Sequence, residues 1–395
     1  MKKKFLNLLL IGGLLIPVVS VAQHQDILNS NFQVISKGGD AGEYQAFTDA
    51  FKLKNGNIVS VFYAGDGHVT FPSDAYPKAG RICMVTSTDN GKTWSLPKTI
   101  FDDDTDNRDP HISQMSDGTV VVTFFNTDFG KEIETPQGSG KTLAHYKGRN
   151  RETKNGGIHY IVSKDNGQTW SSKITLNTGK YKNACSAPMR ELKDGTWVYP
   201  AYHQGADKAF GTVYLSSDKG NTWSESIYIG EQSGQFMPAE TDIIQLKDGS
   251  ILAALRGDIR RDVKMHFAIS KDNGKSWGDV YSSGFQGHCP HFLRLSNGAI
   301  VLTYRAFTDD SRHESGYTGM RISYDEGKTW QGPYLIDGFW GAYAATVELP
   351  NKDLLITYYE EGENSAVRVI KTKAPKKSSK SISYTKPVVL ERLKF

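Results

Sequence analysis

Carboxylates, imidazoles, guanidinium groups and phenols recur in this chain at fixed distances from six tight-turn positions. Each turn interrupts an apolar alternation: Leu53-Lys-Asn-Gly56, Met115-Ser-Asp-Gly118, Leu192-Lys-Asp-Gly195, Leu246-Lys-Asp-Gly249, Leu295-Ser-Asn-Gly298 and Leu349-Pro-Asn-Lys352, where Lys352 stands for the glycine. Nine residues before that position stand Phe47, Asp109, Ser186, Glu240, Cys289 and Tyr343; seven before it stand Asp49, His111, Pro188, Asp242, His291 and Ala345. Seven after it, on a strand returning to the same end, stand Tyr63, Phe125, Tyr202, Arg256, Arg305 and Tyr359. Burying so many polar groups at shared heights is costly unless they meet a ligand. The expectation is a ligand-binding mouth whose residue types suit proton transfer and the holding of an anionic or hydroxyl-rich molecule. His111 and His291 each follow a proline at one height, and imidazole titrates near neutrality. No short ligand-spacing motif joins His111, His288 and His291 into a metal site. No cofactor is implied, and Cys185 and Cys289 read as fillers of small channel volumes.

Strands must carry these positions. Five copies of a Ser-x-Asp-x-Gly-x-Thr/Ser-Trp box recur, Ser87 to Trp94, Ser163 to Trp170, Ser216 to Trp223, Ser270 to Trp277 and Ser323 to Trp330, and their Asp residues are spaced by 76, 53, 54 and 53 residues. Each unit reads as strand, tight turn, strand, then a third strand ending in a hairpin whose Asp and Gly supply the turn. One such unit cannot bury both faces, so the units must pack on one another, and closing them into a ring leaves few exposed edges. Six units give an all-β, six-bladed β-propeller in a single domain over residues 23–395. The long first interval places an insertion in blade two, at about residues 128–157, read as a long loop. Asn29 to Gly38 and Ser383 to Phe395 are both strand-like, and one of them is expected to complete the last blade.

The boxes resemble the Asp boxes of the sialidase (neuraminidase) superfamily, in which their Asp caps a turn and their Trp packs between strands. Asp89, Asp165, Asp218, Asp272 and Asp325 are therefore read as structural. The stretch from Glu240 to Arg256 resembles the sialidase blade bearing a catalytic Glu and a substrate-binding arginine. The stretch Gly341-Ala-Tyr343, followed by Tyr358-Tyr359-Glu360, resembles the blade bearing the tyrosine nucleophile and a later Tyr-Glu pair. The resemblance implies that Tyr343 attacks the anomeric carbon, Glu240 accepts its proton and Arg256 anchors substrate. A phenol with an ordinary pKa of about 10 needs such a base. Asp66, in Ala64-Gly-Asp-Gly-His68, is the implied general acid, with Asp49 competing. Arg305 is the implied blade-five arginine, with Arg312 and Arg321 as alternatives. Sialidases open with Tyr/Phe-Arg-Ile-Pro; here the matching stretch is Glu43-Tyr-Gln45-Ala-Phe-Thr48. Gln45 cannot supply the guanidinium that clamps a carboxylate, which points to a terminal sugar other than sialic acid.

The expected activity is exo-acting glycoside hydrolysis, with Asp49, Asp109, His111, Asp242, His291, Gln45, Arg256, Arg305, Arg312 and Glu360 around a glycan substrate. Two rival readings use other residues. A polysaccharide lyase or histidine-dependent glycosidase would use His111 or His291 on a uronate-containing glycan. A non-catalytic glycan binder would keep Tyr63, Tyr202, Tyr359 and Trp340 for stacking, but has no reason to set Glu240 opposite Tyr343.

Composition agrees with an extracellular scaffold. The 395 residues carry 47 Lys and Arg against 43 Asp and Glu, a near-balance that argues against nucleic-acid binding. Lys2, Lys3 and Lys4 precede the apolar run Phe5 to Val21 and the small-residue end at Ala22, which reads as a secretory signal over residues 1–22 and a secreted or periplasmic product. No other stretch is apolar enough to span a bilayer. Three cysteines make no closed disulfide framework, so the fold rests on its core. The sequence carries no signal of oligomeric state.

Overall fold

The structure is a computed structural model that describes residues 31–395 apart from 133–142, 147–148, 155, 178, 180–182, 206, 239, 308–315, 339–340, 363–364 and 379–382. The expected signal segment and Arg312 therefore lie outside the described residues, as does Trp340. Six small antiparallel sheets form a six-bladed β-propeller. In blade one, Tyr44–Lys52, Ile58–Gly65, Arg81–Ser87 and Lys98–Phe101 pair in chain order from the axis outward. Blades two to six open with the inner segments Asp106–Gln114, Asn183–Ala184 with Arg190–Glu191, Thr241–Gln245, His288–Arg294 and Gly341–Glu348. The ring is closed by the N-terminal strand: Phe32–Ser36 pairs antiparallel with Ala366–Lys373 as the outer strand of blade six. The C-terminal Ser383–Val389 instead adds parallel to Gln331–Asp337 on blade five. Among the described residues no helix is long and apolar enough to cross a membrane.

The core lies between blades rather than inside one. Ile58, Phe62 and Val85 of blade one meet Val347, Leu355 and Val369 of blade six, and similar apolar clusters join blades one and two, two and three, three and four, and five and six. The Asp boxes serve these seams. Asp89 Oδ1 accepts from the Thr93 amide at 2.9 Å and its Oδ2 from the Thr93 hydroxyl at 2.6 Å, while Ser87 Oγ accepts from the Gly91 amide at 2.8 Å. The same bonds recur at Asp165, Asp218, Asp272 and Asp325. Gly91 turns with φ 81°, and a Cβ there would lie 2.1 Å from Leu355 Cδ1 of blade six, so both conformation and space demand glycine. Gly327 likewise abuts Leu252 of the preceding blade. The box carboxylates thus fold hairpins that press on the neighbouring blade, far from the axis.

Where it is described, the blade-two insertion is mostly paired strand rather than loop. Val120–Glu132 runs on past the blade and pairs with Arg149–Lys154, which pairs in turn with Leu143–Tyr146. Phe129 on this extension packs against Phe71 of blade one with ring centroids 4.7 Å apart.

Candidate active site

The axial end of the inner strands is shaped by one local distortion repeated around the ring. Phe47, Asp109, Glu240, Cys289 and Tyr343 have φ of 54°, 50°, 30°, 45° and 48°. These are five of the six positions nine residues before the turn. The sixth, Ser186, lies in blade three, whose inner strand is split in two. In blades one, two, five and six the pairing register shifts at this point, between Ala46 and Asp49, Arg108 and His111, His288 and His291, and Ala342 and Ala345. A bulge with one residue in the left-handed region re-aims side chains at the end of a strand, and such backbone strain persists only where surrounding structure enforces it.

The result is a cleft of about 1150 Å³ whose floor carries the reactive-looking groups. The Tyr343 hydroxyl lies 2.8 Å from Glu240 Oε1 and 3.0 Å from Asp109 Oδ2. Arg256 Nη1 donates to both Glu240 oxygens, at 2.6 and 2.8 Å, and the Cys289 amide donates to Glu240 Oε2 at 3.1 Å. Ser186 Oγ donates to Asp109 Oδ2 at 2.6 Å. Burial, with the Asp109 and Glu240 charges, pushes the Tyr343 phenol well above its ordinary pKa. Burial also pushes Asp109 up, against the opposing pull of Arg108, so this carboxyl keeps a proton to higher pH than an exposed one. One phenolic proton cannot serve two carboxylates at once, and the two differ in surroundings: burial raises the pKa of Asp109, whereas Arg256 grips both oxygens of Glu240.

Around this floor stand cations and phenols. Arg108 lies over the rings of Phe47 and Phe125, at 5.1 and 5.6 Å from their centroids, and makes no hydrogen bond among the described residues. Arg305 donates to the Gly341 carbonyl at 2.7 Å and the Tyr359 hydroxyl at 3.2 Å. Glu361 accepts from Tyr44 at 2.6 Å and Tyr359 at 2.8 Å. Burial alone would raise Glu361, but the bonds from His68 and Tyr44 and the His68 charge hold it near 2.

Residues 132–240 and 208–368 match the BNR repeat-like domain and residues 85–96 the BNR/Asp-box repeat, so the two longer matches span more than half of the chain. The chain belongs to the BNR-repeat propellers of the sialidase superfamily. It is 27% identical over 300 residues to a Paraclostridium sordellii sialidase, covering 71% of this chain and 70% of that one. It is 29% identical over 216 residues to a Clostridium perfringens sialidase, and there spans only about half of either protein, 51% and 52%. A solved Dyadobacter fermentans protein of unknown function superposes with a TM-score of 0.70 at 22% identity, over 86% of this chain and 97% of that one. At that identity the superposition speaks for the fold alone.

Within this sialidase-superfamily frame, the geometry sorts the residues singled out in the sequence. Tyr343, Glu240, Asp109, Arg256 and Arg305 all line the cleft, as do Tyr202 and Tyr359. Asp49, His111, Asp242 and His291 do not; they sit beneath the floor. Two residues along a strand is about 6.6 Å, a full layer deeper. Asp49 accepts from the Ala50 and Ile112 amides at 2.7 and 2.8 Å and lies 3.2 Å from His111 Nδ1 and 3.1 Å from His291 Nε2. Burial alone would raise it, yet the two histidines hold it well below the usual carboxylate range. Asp242 accepts from the Ile243 and Phe292 amides, at 2.8 and 2.7 Å, and from Arg190 Nε at 3.1 Å. Both carboxylates clip neighbouring blades together.

Four other expectations are corrected. Asp66 lines a separate depression with Glu43, Tyr76 and Arg81, because its amide is tied to Thr70 Oγ1 at 3.0 Å and the turn leads it away from the axis. Gln45 is fully buried and donates to the carbonyls of Gly38 and Gly42, at 2.9 and 3.0 Å, holding the blade-one entry. Glu360 closes its strand on the outward face and pairs with Arg368. Arg321, the blade-five alternative, is spent inside its own blade on Tyr304 and Gly332.

The cleft residues that sequence reasoning missed are its near neighbours. Arg108 precedes Asp109, and alternation would send the two to opposite faces; the bulge brings both to the cleft. Glu361 follows Glu360 beyond the strand end and turns back over the mouth. His68, two residues after Asp66, packs its ring at 5.0 Å from Phe47. Strand register could not find these, but an unassigned Arg, His or Glu beside each register position was a usable signal.

Proposed function

We propose that this protein is a secreted, retaining exo-glycosidase that removes a terminal carboxylate-bearing sugar from a glycan, with Tyr343 as nucleophile. The observation that carries the reading is the Tyr343 hydroxyl held within hydrogen-bond reach of Glu240 and Asp109. Glu240 takes the phenolic proton as the Tyr343 oxygen forms a bond to the anomeric carbon. The glycosidic carbon–oxygen bond breaks, and Asp109, whose raised pKa suits a donor, gives its proton to the leaving oxygen. Water then attacks the glycosyl-tyrosine from the side the leaving group vacated, losing its proton to Asp109. Glu240 returns a proton to the Tyr343 oxygen, so both groups end as they began. A tyrosine nucleophile departs from the two-carboxylate scheme usual among glycosidases.

The acidic substrate is inferred from Arg108 and Arg305. The guanidinium missing at Gln45 has a counterpart in Arg108, which reaches the same end of the axis from blade two and leans on the blade-one ring of Phe47. Guanidinium is the group best matched to a carboxylate, so the absent blade-one arginine no longer argues against an acidic sugar. The lyase alternative is weakened because its proposed bases, His111 and His291, do not reach the cleft. Secretion rests on the residue 1–22 pattern alone. The deciding experiment is mass spectrometry after turnover of fluorinated glycosides of acidic sugars. A glycosyl adduct on the Tyr343 peptide supports the mechanism, whereas turnover without an adduct and undiminished activity in Tyr343→Phe would end it.

A further inference from the structure

The cleft is larger than a terminal sugar needs, and among the described residues the surplus lies on one side. Its volume of about 1150 Å³ exceeds the upper end of pockets that enclose a drug-sized ligand, about 1,000 Å³. Beyond the floor it runs outward between Thr153 and Gly156 of the blade-two extension, Asn183 and Gln204 of blade three, and the rim of blade four. Among the described residues, blades five and six contribute only groups close to the axis, His288, Arg305, Tyr343, Tyr359 and Glu361.

The blade-four rim is a built structure. Asp258 and Val263 exchange both backbone hydrogen bonds, at 2.7 and 2.8 Å, across the short turn Ile259–Arg261. Asp258 Oδ1 accepts from the Arg260 amide at 3.0 Å, and Asp262 closes the turn with φ 52°. Gly257 packs so tightly that a Cβ would meet the Val263 carbonyl oxygen at 2.2 Å. This turn presents two arginines to the cleft. The Arg261 guanidinium carbon lies over the ring of Phe236, 3.5 Å from its centroid, and the side chain pairs with Asp258 at 3.6 Å. Arg260 is exposed, and its guanidinium makes no hydrogen bond or ion pair among the described residues. Lys264 and Asp262 neutralise each other at 3.6 Å, so the rim keeps one positive charge in surplus.

We propose that this rim is a leaving-group subsite that binds an anionic sugar, carboxylated or sulfated, next to the residue being removed. The proposal rests on the catalytic reading above, because Tyr343 defines which end of the cleft holds the terminal sugar. A guanidinium fork meets carboxylate and sulfate oxygens alike, and the Phe236 ring holds one fork in place before the ligand arrives. The substrate is then an acidic glycan chain rather than a neutral one with an acidic cap.

The test is binding to the full chain carrying Tyr343→Phe, by calorimetry at low salt. The probes are tetragalacturonate, a chondroitin sulfate tetrasaccharide and neutral cellotetraose. At least one anionic probe should bind at least about tenfold tighter than the neutral one, and added R260Q and R261Q should cut that margin by about tenfold, the worth of one charge-assisted contact, leaving only what Arg108 and Arg305 contribute at the floor. Comparison of the two anionic probes identifies the substituent. Equal binding of all three, or a margin that the two arginine substitutions leave unchanged, overturns the subsite. Both arginines are exposed, so the variant should keep the parental melting temperature. If wild-type protein hydrolyses nothing while the margin and its reduction are both seen, the catalytic reading falls and the anion site stands.

Discussion

Glu240 and Asp242 stand two residues apart in one chain segment, both carboxylates and both closed to solvent, at 2% and 0% exposure. Burial does not separate them; their partners do. Asp242 is closed by two amides and Arg190, groups that hold blades four, three and five together. Glu240 meets Arg256 and a phenol that no structural need explains. Asp109 and Asp49 repeat the contrast across the axis: one meets Tyr343, the other two amides and two histidines. A ring of ionisable residues in a propeller is therefore two rings, one facing the cleft and one stitching the floor. The distinguishing mark is that two backbone amides satisfy each lower carboxylate, whereas Glu240 meets one and Asp109 none among the described residues, and both of these meet the Tyr343 phenol instead.

The hardest blow to this contrast would be equal behaviour of the two rings on mutation. Tyr343→Phe and Glu240→Gln should each lower kcat by on the order of 10³, the usual worth of a positioned base and its nucleophile, with little change in melting temperature. Asp242→Ala should do the reverse. It strands the Arg190 guanidinium and two inner amides, a loss of about 3–5 kcal/mol of stability. Denaturant unfolding beside steady-state kinetics reads both. A stable but inactive Asp242→Ala would place Asp242 in the chemistry and dissolve the distinction.

A subtler separation lies in pH. Asp49 has a depressed pKa in the folded state, so its stabilisation is present above its ordinary value of about 3.9 and fades as pH falls. Asp109 has a raised one, so its contribution is full in acid and is lost as pH rises through the raised value. Asp49→Asn should consequently destabilise at neutral pH, with the difference vanishing in acid. Asp109→Asn should raise the melting temperature at neutral pH by less than Asp242→Ala lowers it, with that gain also vanishing in acid, while kcat falls. Melting curves from acid to neutral pH check both signs, and a neutral-pH loss in Asp109→Asn would mean that its bonds to Ser186 and Tyr343 outweigh its charge.

What was legible in the sequence follows the same divide. The Asp boxes and turn glycines obey local rules, a carboxylate capping a hairpin and a residue that must take positive φ, so blade number and register could be counted. Counting also brought Tyr343 and Glu240 to one height. It could not show that the strand kinks there, because the bulge at Phe47, Asp109, Cys289 and Tyr343 is imposed by packing around the axis and has no fixed residue type. Arg108 was hidden for that reason, and Asp49, His111, Asp242 and His291 seemed to share a mouth that lies one layer above them. Asp66 and Glu360 failed differently: each sits at a strand end, where chain direction is set by a few bonds such as that of the Asp66 amide to Thr70.

The register itself offers the smallest and most local test. The comparison of rings assumes that Lys352 occupies the turn position held by glycine in the other five blades, and its φ of 69° matches that role beside 92° at Gly56 and 93° at Gly249. An L-residue in this conformation costs about 1–2 kcal/mol, part of which glycine would return as greater freedom in the unfolded chain. Lys352→Gly should thus gain about 0.5–1 kcal/mol, seen as a small rise in denaturant midpoint with unchanged kcat, because the turn lies at the end of the blade remote from the cleft. Its long side chain makes only an exposed ion pair with Glu348 at 3.9 Å, too weak to offset the gain. A loss on this substitution would mean that the turn is not strained as its φ implies, and the alignment that puts Tyr343 level with Glu240 would rest on the other five turns alone.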